Sequence, residues 1–383
     1  MVKLMEIERD NSIKVSSIIE HFEHPDKVYI PIYDSKNILV KLHEEIAIGT
    51  PLVKINNITY YAPISGIVAG LKVVNTIKGT TKALELINNF TEKKINNTVK
   101  RNNVNIKKAI LEKILIQEFN INFQNKQSII INAIDDEPYV VTENFYLFLF
   151  YEDILEIVDK IANVFNIKNI IICIKASNSE NLNKLMNYIG MYPNIKLEIV
   201  PDLYLIGKED FLKEHLNIKD STIIKSSLMY EIFNVIKRNQ PLDSKLVTIS
   251  GNALNNPFVV SVKLGTKLQD IIANLVEIKE QNHLFIENGL MMGNVIDIDN
   301  FVITKDFVSL LIMQNNNPQK EDLCLNCGLC LNVCPKGLNP LMLKDKLYYE
   351  SVKNTCLKCG LCSYICPSHI DFSKYYKGEE KNA

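Results

Sequence analysis

Cys324, Cys327, Cys330 and Cys334, followed by Pro335, spell C-x2-C-x2-C-x3-C-P, and Cys356, Cys359, Cys362 and Cys366, followed by Pro367, spell it again. Thiolates at this spacing hold iron–sulfur cubes. Three from one short loop reach three corners of a cluster, and the fourth, starting the next segment, points to the neighbouring cluster. The spacing predicts two [4Fe–4S] clusters, one held by Cys324, Cys327, Cys330 and Cys366, the other by Cys334, Cys356, Cys359 and Cys362. Structural zinc also uses cysteine quartets, but its sites separate two C-x2-C pairs by a longer loop. A single cluster would suffice to brace a fold, whereas a pair sharing its loops favours carrying electrons. Gly328 and Gly360 let the backbone pass close to inorganic sulfur, where a Cβ would crowd. Eight of the nine cysteines fall in this tail, the distribution of reduced metal ligands rather than of a disulfide framework. The ninth, Cys173, sits in the apolar "IIICI" and reads as a small buried side chain. His369, just after "CPS", reads as a solvated loop residue, the alternative being a hydrogen bond to a cluster.

Electrons usually reach such a relay from a nicotinamide or a flavin, whose phosphates need glycines that let backbone N–H groups close on the anion. No glycine occurs between Gly79 and Gly190. The expectation is therefore neither FMN nor NADH, no cofactor-binding residue and no catalytic side chain. The acidic run "IDDEPY", with Asp135, Asp136 and Glu137, reads as a strand-end turn with solvated charges, and "HEE" at 43–45 as a surface turn.

The elements that must hold these cysteines follow from periodicity. From Val28 to about Asn88, short β runs ("VYIPIY", "ILVKL", "PLVKI", "ITYYAPI", "GIVAGLKVV") alternate with turn signals, as in a small β barrel or sandwich. From about Lys100, helical and strand patterns alternate: "VNIKKAILEKILIQEF", "SIIINAI", "FYLFLFYEDILEIVDKIANVF", "NIIICIKA", "ENLNKLMNYIGM", "IKLEIVP". That order indicates an α/β layer on a largely parallel sheet. Strands return from Ser244 to about Met313 around one short helix, and the polar run "QNNNPQKED" sets off the cysteine tail. At 383 residues, 47% of them apolar, the chain has room for several cores. A formal net charge of −1 with scattered lysines gives no basic stripe for nucleic acid. The start, "MVKLMEIERDNSIKVSSIIEHFEHP", has charges where a signal core would be apolar, and no run reaches the length of a membrane span, so the expected location is the cytoplasm.

The order of parts resembles the RnfC family, the peripheral NADH-oxidising subunit of ion-pumping ferredoxin:NAD oxidoreductases, and its relative PduS, the cobalamin reductase. "HPDKVYIPI" and "VKLHEEIAIGTPLVKI...YAPISGIV" are similar to the family's barrel-sandwich hybrid domain. "INAIDDEPYVVTEN" resembles the family segment N-x-A-E-C-E-P-Y-x-T, in a flavin and NADH domain shared with the 51-kDa subunit of complex I. Asn132, Glu137, Pro138 and Tyr139 are retained, and Asp135 and Asp136 replace an acid-Cys pair. "LVTISGN" through "ENGLMMGN" resembles an SLBB β-grasp domain. The family's Gly-rich loop before "E-P-Y" is replaced by "NVNIKKAILEKILIQEFN", and its second Gly-rich stretch by "VPDLYLIGKED".

The resemblance implies a multidomain α+β and α/β architecture: an N-terminal arm (1–22), a barrel-sandwich hybrid (23–90), a degenerate Rossmann-like domain (91–240), an SLBB β-grasp domain (241–314) and a ferredoxin-type dicluster domain (315–383). It implies an electron-transfer subunit working with redox partner proteins, a flavoprotein or ferredoxin-like donor or acceptor, and with membrane-bound Rnf-like subunits on the cytoplasmic face. The alternatives are a flavin-dependent reductase of the PduS or proline-reductase-associated type, and a docking scaffold with structural clusters.

Overall fold

The structure is a computed structural model describing residues 4–7, 18–33, 36–56, 58–95, 108–177, 182–279, 281–315 and 320–376. Strand β1 (Ile19–Phe22) pairs parallel with a strand far along the chain, described below. Strands β2 (Lys27–Pro31), β3 (Glu45–Ile46), β6 (Gly66–Thr76) and β7 (Gly79–Asn88) form a four-stranded sheet in the order β2-β7-β6-β3. It packs on the hairpin of β4 (Pro51–Ile55) and β5 (Ile58–Tyr61), with Val28, Leu52, Val53 and Leu86 fully buried between them. Alternating apolar residues bury one face of each strand and drive this closure. "ILVKL" contributes only a bridge from Ile38 to Val53, since Leu39 and Leu42 are exposed.

The α/β unit carries helices α1 (Lys108–Phe119), α2 (Thr142–Leu149), α3 (Tyr151–Phe165), α4 (Leu182–Ile189), α5 (Glu209–Leu216) and α6 (Ser226–Phe233). Its strands β8 (Ser128–Asn132), β9 (Asn169–Lys175), β10 (Ile195–Val200) and β11 (Ser221–Lys225) lie in the order β10-β9-β8-β11, all parallel. Buried on both faces, β8 is continuously apolar through Ile129, Ile130 and Ile131. The long pattern expected as one helix from Phe145 is two helices, broken at Phe150, whose ring stacks on Tyr230 at 3.8 Å between centroids. The strand order reverses between β8 and β11, so the crevice outside their carboxyl ends is where an open α/β sheet binds ligands.

A six-stranded mixed sheet follows, from β12 (Ser244–Ser250), β13 (Phe258–Lys263), β14 (His283–Glu287), β15 (Asn294–Ile296) and β16 (Ser309–Gln314), with helix α7 (Leu268–Leu275). Its order is β1-β13-β12-β16-β14-β15, so Ile19–Phe22, expected in an N-terminal arm, is an edge strand here. Phe301 bridges to Asn75 and ties this unit to the β6–β7 hairpin.

The tail contains α8 (Leu329–Val333), α9 (Lys346–Val352) and α10 (Leu361–Tyr364), with 3-10 turns at Pro340–Lys344 and Phe372–Tyr375. Among the described residues no helix is long and apolar enough to cross a membrane.

Candidate metal centre

The two cysteine motifs fold as copies offset by 32 residues. Asn326 and Lys358 are left-handed at φ 51° and 52°, Gly328 and Gly360 at 74° and 77°, and Gly337 and His369 at 64° and 54°. Each glycine caps the short helix carrying the third cysteine. The match continues past the motifs, where Asn339 accepts from the N–H of Leu341 and Asp371 from that of Ser373, each opening a 3-10 turn. His369 is exposed.

Cys334, Cys356, Cys359 and Cys362 line one small cavity of about 30 Å3, partly open to solvent, together with Leu338, Pro340, Leu343, Leu361 and Tyr376. Three of these thiols come from the second motif and one from the first. Burial pushes the Cys359 thiol up to about 11, and the neighbouring sulfurs of Cys334 and Cys356 push the same way. Burial likewise raises Cys362 to about 12, reinforced by Cys359 and Cys356. Cys330 stands near sulfurs of both motifs as well: its thiol is raised by burial, then by Cys366 and Cys324. Cys324 and Cys327 are exposed, Cys330 is buried and Cys366 is half-buried. Among the described residues no trio of His, Cys, Asp or Glu stands close enough to grip one metal ion, whereas a cube takes its thiolates at separated corners. Four thiols crowded in an apolar cavity cannot all ionise unaided, and cationic iron removes that penalty by coordinating them as thiolates. Backbone donors already face the sulfurs, from Leu338 N–H to Cys334 at 3.3 Å and from Asn326 N–H to Cys324 at 3.4 Å. The donor set fits iron–sulfur clusters.

The second motif is seated on the rest of the molecule. Leu361 is buried among Tyr204, Leu205 and Phe211, with Met291, Met292 and Leu357 against them. The Tyr204 hydroxyl lies 2.9 Å from the carbonyl of Cys359 and 3.1 Å from Glu137 Oε1, while Met291 N–H donates to Glu137 Oε2 at 2.7 Å. Glu137 thus joins the α/β unit, the six-stranded unit and the tail at one point. The resemblance had marked Glu137, but nothing in the sequence pointed to Tyr204 or Met291.

The expectation that "IDDEPY" carries solvated charges is overturned, because each carboxylate is spent on a backbone N–H. Asp135 is buried and accepts from Glu143 and Asn144 at 3.0 Å each, and Asp136 accepts from Gly207 at 3.0 Å. Burial raises Asp135 to about 7, with the Glu143 charge adding to it. Lys175, also buried, donates to the Asp135 carbonyl at 3.1 Å and stands 3.9 Å from Asp136. Cys173 is buried in β9 and desolvation raises its thiol to about 12, so it behaves as packing.

At the switch point, the N-terminus of α6 faces the buried carboxylate of Glu143. That carboxylate accepts from Ser227 N–H at 2.9 Å, Ser227 Oγ at 2.8 Å and Ser226 Oγ at 3.0 Å, with Lys225 Nζ at 3.7 Å. A helix N-terminus with flanking hydroxyls and a lysine is an anion site, and here the chain's own carboxylate fills it. Beside it runs a cleft of about 460 Å3, partly open to solvent and shared by the first three units. Its walls include Lys78, Lys225, Lys245 and Lys305. Lys78 pairs with Asp306, Lys305 pairs with Glu231 at 2.8 Å, and burial pushes Lys245 down to about 8.

Two family models match: the Nuo51 FMN-binding domain over residues 115–235, and a 4Fe-4S binding domain over 321–337 and 353–376. The RnfC protein of the ion-translocating oxidoreductase complex of Rhodobacter capsulatus is 24% identical over 235 residues, 58% of this chain and 45% of that protein. The matched region thus spans less than half of that relative's length. Its counterpart from Buchnera aphidicola is 27% identical over 379 residues, 86% of this chain and 78% of its own. A solved NAD+-reducing [NiFe]-hydrogenase aligns at TM-score 0.47 and 10% identity, covering 71% of this chain and 57% of its own. The chain is thus similar to RnfC proteins, a mixed α/β protein whose residues 115–235 match a flavin-domain model and whose C-terminal residues match a 4Fe-4S one.

Proposed function

We propose that this RnfC-like chain is an electron-transfer subunit with two [4Fe–4S] clusters, held by Cys324, Cys327, Cys330 and Cys366 and by Cys334, Cys356, Cys359 and Cys362, and without its own FMN or NADH. The observation that carries the reading is the single cavity lined by Cys356, Cys359, Cys362 and Cys334, which draws a thiol from each motif. A cluster bound by four thiolates supplies a one-electron couple. The chain's own groups ligate it, direct backbone N–H groups at its sulfurs and exclude water with Leu338, Leu343, Leu361 and Tyr376. The flavin-free part of the reading is supported at the switch point, where Glu143 fills the anion site of α6 and Asp135 and Asp136 spend their oxygens on the protein's own backbone. Redox proteins, including membrane-bound Rnf-like subunits at a cytoplasmic face, are the partners this reading requires.

A second reading, a flavin-dependent reductase, is favoured by the match to an FMN-binding domain and by the cleft beside α6, large enough for a flavin. Anaerobic purification with iron, sulfide and acid-extracted flavin measured on one sample separates the two. The relay requires about eight irons per chain and no flavin. Stoichiometric FMN that survives gel filtration selects the reductase, and a sample without iron or sulfide rejects the relay.

A further inference from the structure

Around Glu137, counting hydrogens decides where a proton can sit. Its Oε2 accepts the Met291 N–H at 2.7 Å, and its Oε1 faces the Tyr204 hydroxyl at 3.1 Å. That same hydroxyl lies 2.9 Å from the carbonyl oxygen of Cys359. A hydroxyl has one hydrogen, and while Glu137 is ionised both of these neighbours are acceptors. The hydrogen then goes to the charged carboxylate, the stronger acceptor, and the Cys359 carbonyl receives none from Tyr204. With a proton on Oε1, Glu137 donates to Tyr204, Tyr204 donates to Cys359, and Met291 keeps its acceptor. The arrangement has two states, and the proton on Glu137 sets the direction of the Tyr204 hydrogen.

Charges on each side act on that balance. From the α/β unit, Asp136 repels the Glu137 charge, while its own carboxylate is held by Gly207 N–H, with Lys175 at 3.9 Å and Lys208 also acting on it. The segment after β10 supplies Tyr204, whose hydroxyl burial and Glu137 push further up, so it stays protonated. Residues 288–293, which contribute the Met291 and Met292 N–H groups, contain no titratable side chain. The N-terminal segment, whose Met5 carbonyl accepts from Tyr204 N–H at 2.9 Å, brings Glu6, which is exposed. The tail brings Cys359 and, next to it in sequence, Lys358. Burial raises the Glu137 carboxyl, and the donors that act against it are neutral N–H and O–H groups. Glu137 is half-buried, so solvent can deliver a proton. An electron added to a thiolate-bound cluster places one more negative charge behind the Cys359 peptide, which favours protonated Glu137 and a Tyr204 hydrogen aimed at that carbonyl.

We propose that Glu137, acting through Tyr204, takes up a proton when the cluster assigned to Cys334, Cys356, Cys359 and Cys362 accepts an electron. The proposal rests on the reading that the tail holds clusters. The electron comes from a one-electron donor and stays on the cluster. The proton comes from hydronium, whose O–H bond is exchanged for one on Oε1, and the Tyr204 hydrogen turns from Glu137 to the Cys359 carbonyl without leaving its oxygen. Glu137 and Tyr204 are positioning residues, and linkage gives the sign: the potential falls as pH rises between the Glu137 pKa values of the oxidised and reduced protein.

The test is a redox titration of the anaerobic, full-length protein with viologen mediators, followed by electron paramagnetic resonance from pH 6 to 9, with iron measured on the same sample. In wild type one couple should fall with pH, approaching 59 mV for each tenfold change in proton concentration, and the other should stay flat. Cys330→Ser, which breaks the other predicted cluster, should keep the pH-dependent couple. Glu137→Gln still accepts from Met291 and donates an N–H to Tyr204 as the protonated acid would, so its couple should be flat and sit at the low-pH potential of wild type. Tyr204→Phe should retain iron with a shallower slope, and it decides the matter should Glu137→Gln lose iron. Flat couples in iron-replete wild type, an unchanged slope in either variant, or loss of the pH-dependent couple in Cys330→Ser overturns the proton uptake and leaves the relay standing. Wild type purified without iron overturns both.

Discussion

Asp135 shows how much one carboxylate changes once its surroundings are known. Buried beneath the start of α2 and next to Glu143, it has a folded-state pKa of about 7 against an ordinary 3.8. A raised carboxylate leaves the fold most stable at low pH. Between about 4 and about 7 the folded chain keeps a proton that the unfolded chain releases, so this group's contribution falls as pH rises through that window, by on the order of a few kcal/mol. Glu143 steepens the loss, while Lys225 and the Glu143 and Asn144 N–H groups moderate it. Asp135→Asn removes the titration and keeps an acceptor oxygen. Denaturant midpoints measured from pH 5.5 to 8 should fall for wild type and stay flatter for the variant, and equal slopes would contradict the assignment. The sequence "IDDEPY" announces three acids at a strand end and nothing of their burial, because the backbone donors that hold them come from residues 143, 144, 207 and 291. The cysteine motifs, in contrast, are visible in the sequence as a 4Fe-4S pattern, since that pattern is written in local spacing.

At the scale of elements, the crosswise division of the cysteines makes a prediction about pairs of substitutions. Cys334→Ser and Cys362→Ser fall on one predicted cluster, so each should leave about four irons per chain and the double variant should lose no more. Cys334→Ser combined with Cys330→Ser should lose nearly all iron. Equal losses from both double variants would sink the crosswise arrangement. The cap glycines give a second comparison. Both are left-handed, and alanine at either should cost about 1–2 kcal/mol. A Cβ at Gly328 meets no protein atom within 4 Å, whereas at Gly360 it falls 2.7 Å from the Met291 carbonyl. Gly360→Ala should therefore destabilise more and increase hydrogen exchange around Met291, and Gly328→Ala should leave that segment unchanged. Strand and helix alternation was readable because each pattern is local. The break between α2 and α3 was not, because no Gly or Pro marks it. It depends on Phe150 turning to stack on Tyr230, and Tyr146 in α2 accepts from Leu246 N–H at 2.9 Å in the six-stranded unit.

At the scale of the whole molecule, the assembly of the units could not be read from the sequence. The contacts that seat the tail join residues 154 and 155 positions apart, and a single sequence carries no pattern at that range. Glu137 is where this assembly is concentrated, because one carboxylate binds Met291 N–H and the Tyr204 hydroxyl, which also reaches the carbonyl of Cys359. Burial raises the Glu137 pKa and those two donors act against it. Glu137→Ala leaves the Met291 N–H without its carboxylate and Tyr204 with one partner, a cost of about 1–3 kcal/mol per unsatisfied group. The loss should appear as detachment more than as unfolding. Hydrogen exchange should rise at 288–293 and 356–361 while β8 to β11 keep wild-type protection, and iron held by the second motif should become more accessible to a chelator. Tyr204→Phe, which keeps the ring in its apolar seat and removes only the hydroxyl, should give a smaller change in the same two segments. Uniform loss of protection in Glu137→Ala would show that this carboxylate supports the α/β core itself, and the tail would then be seated mainly by Leu361 and its apolar neighbours.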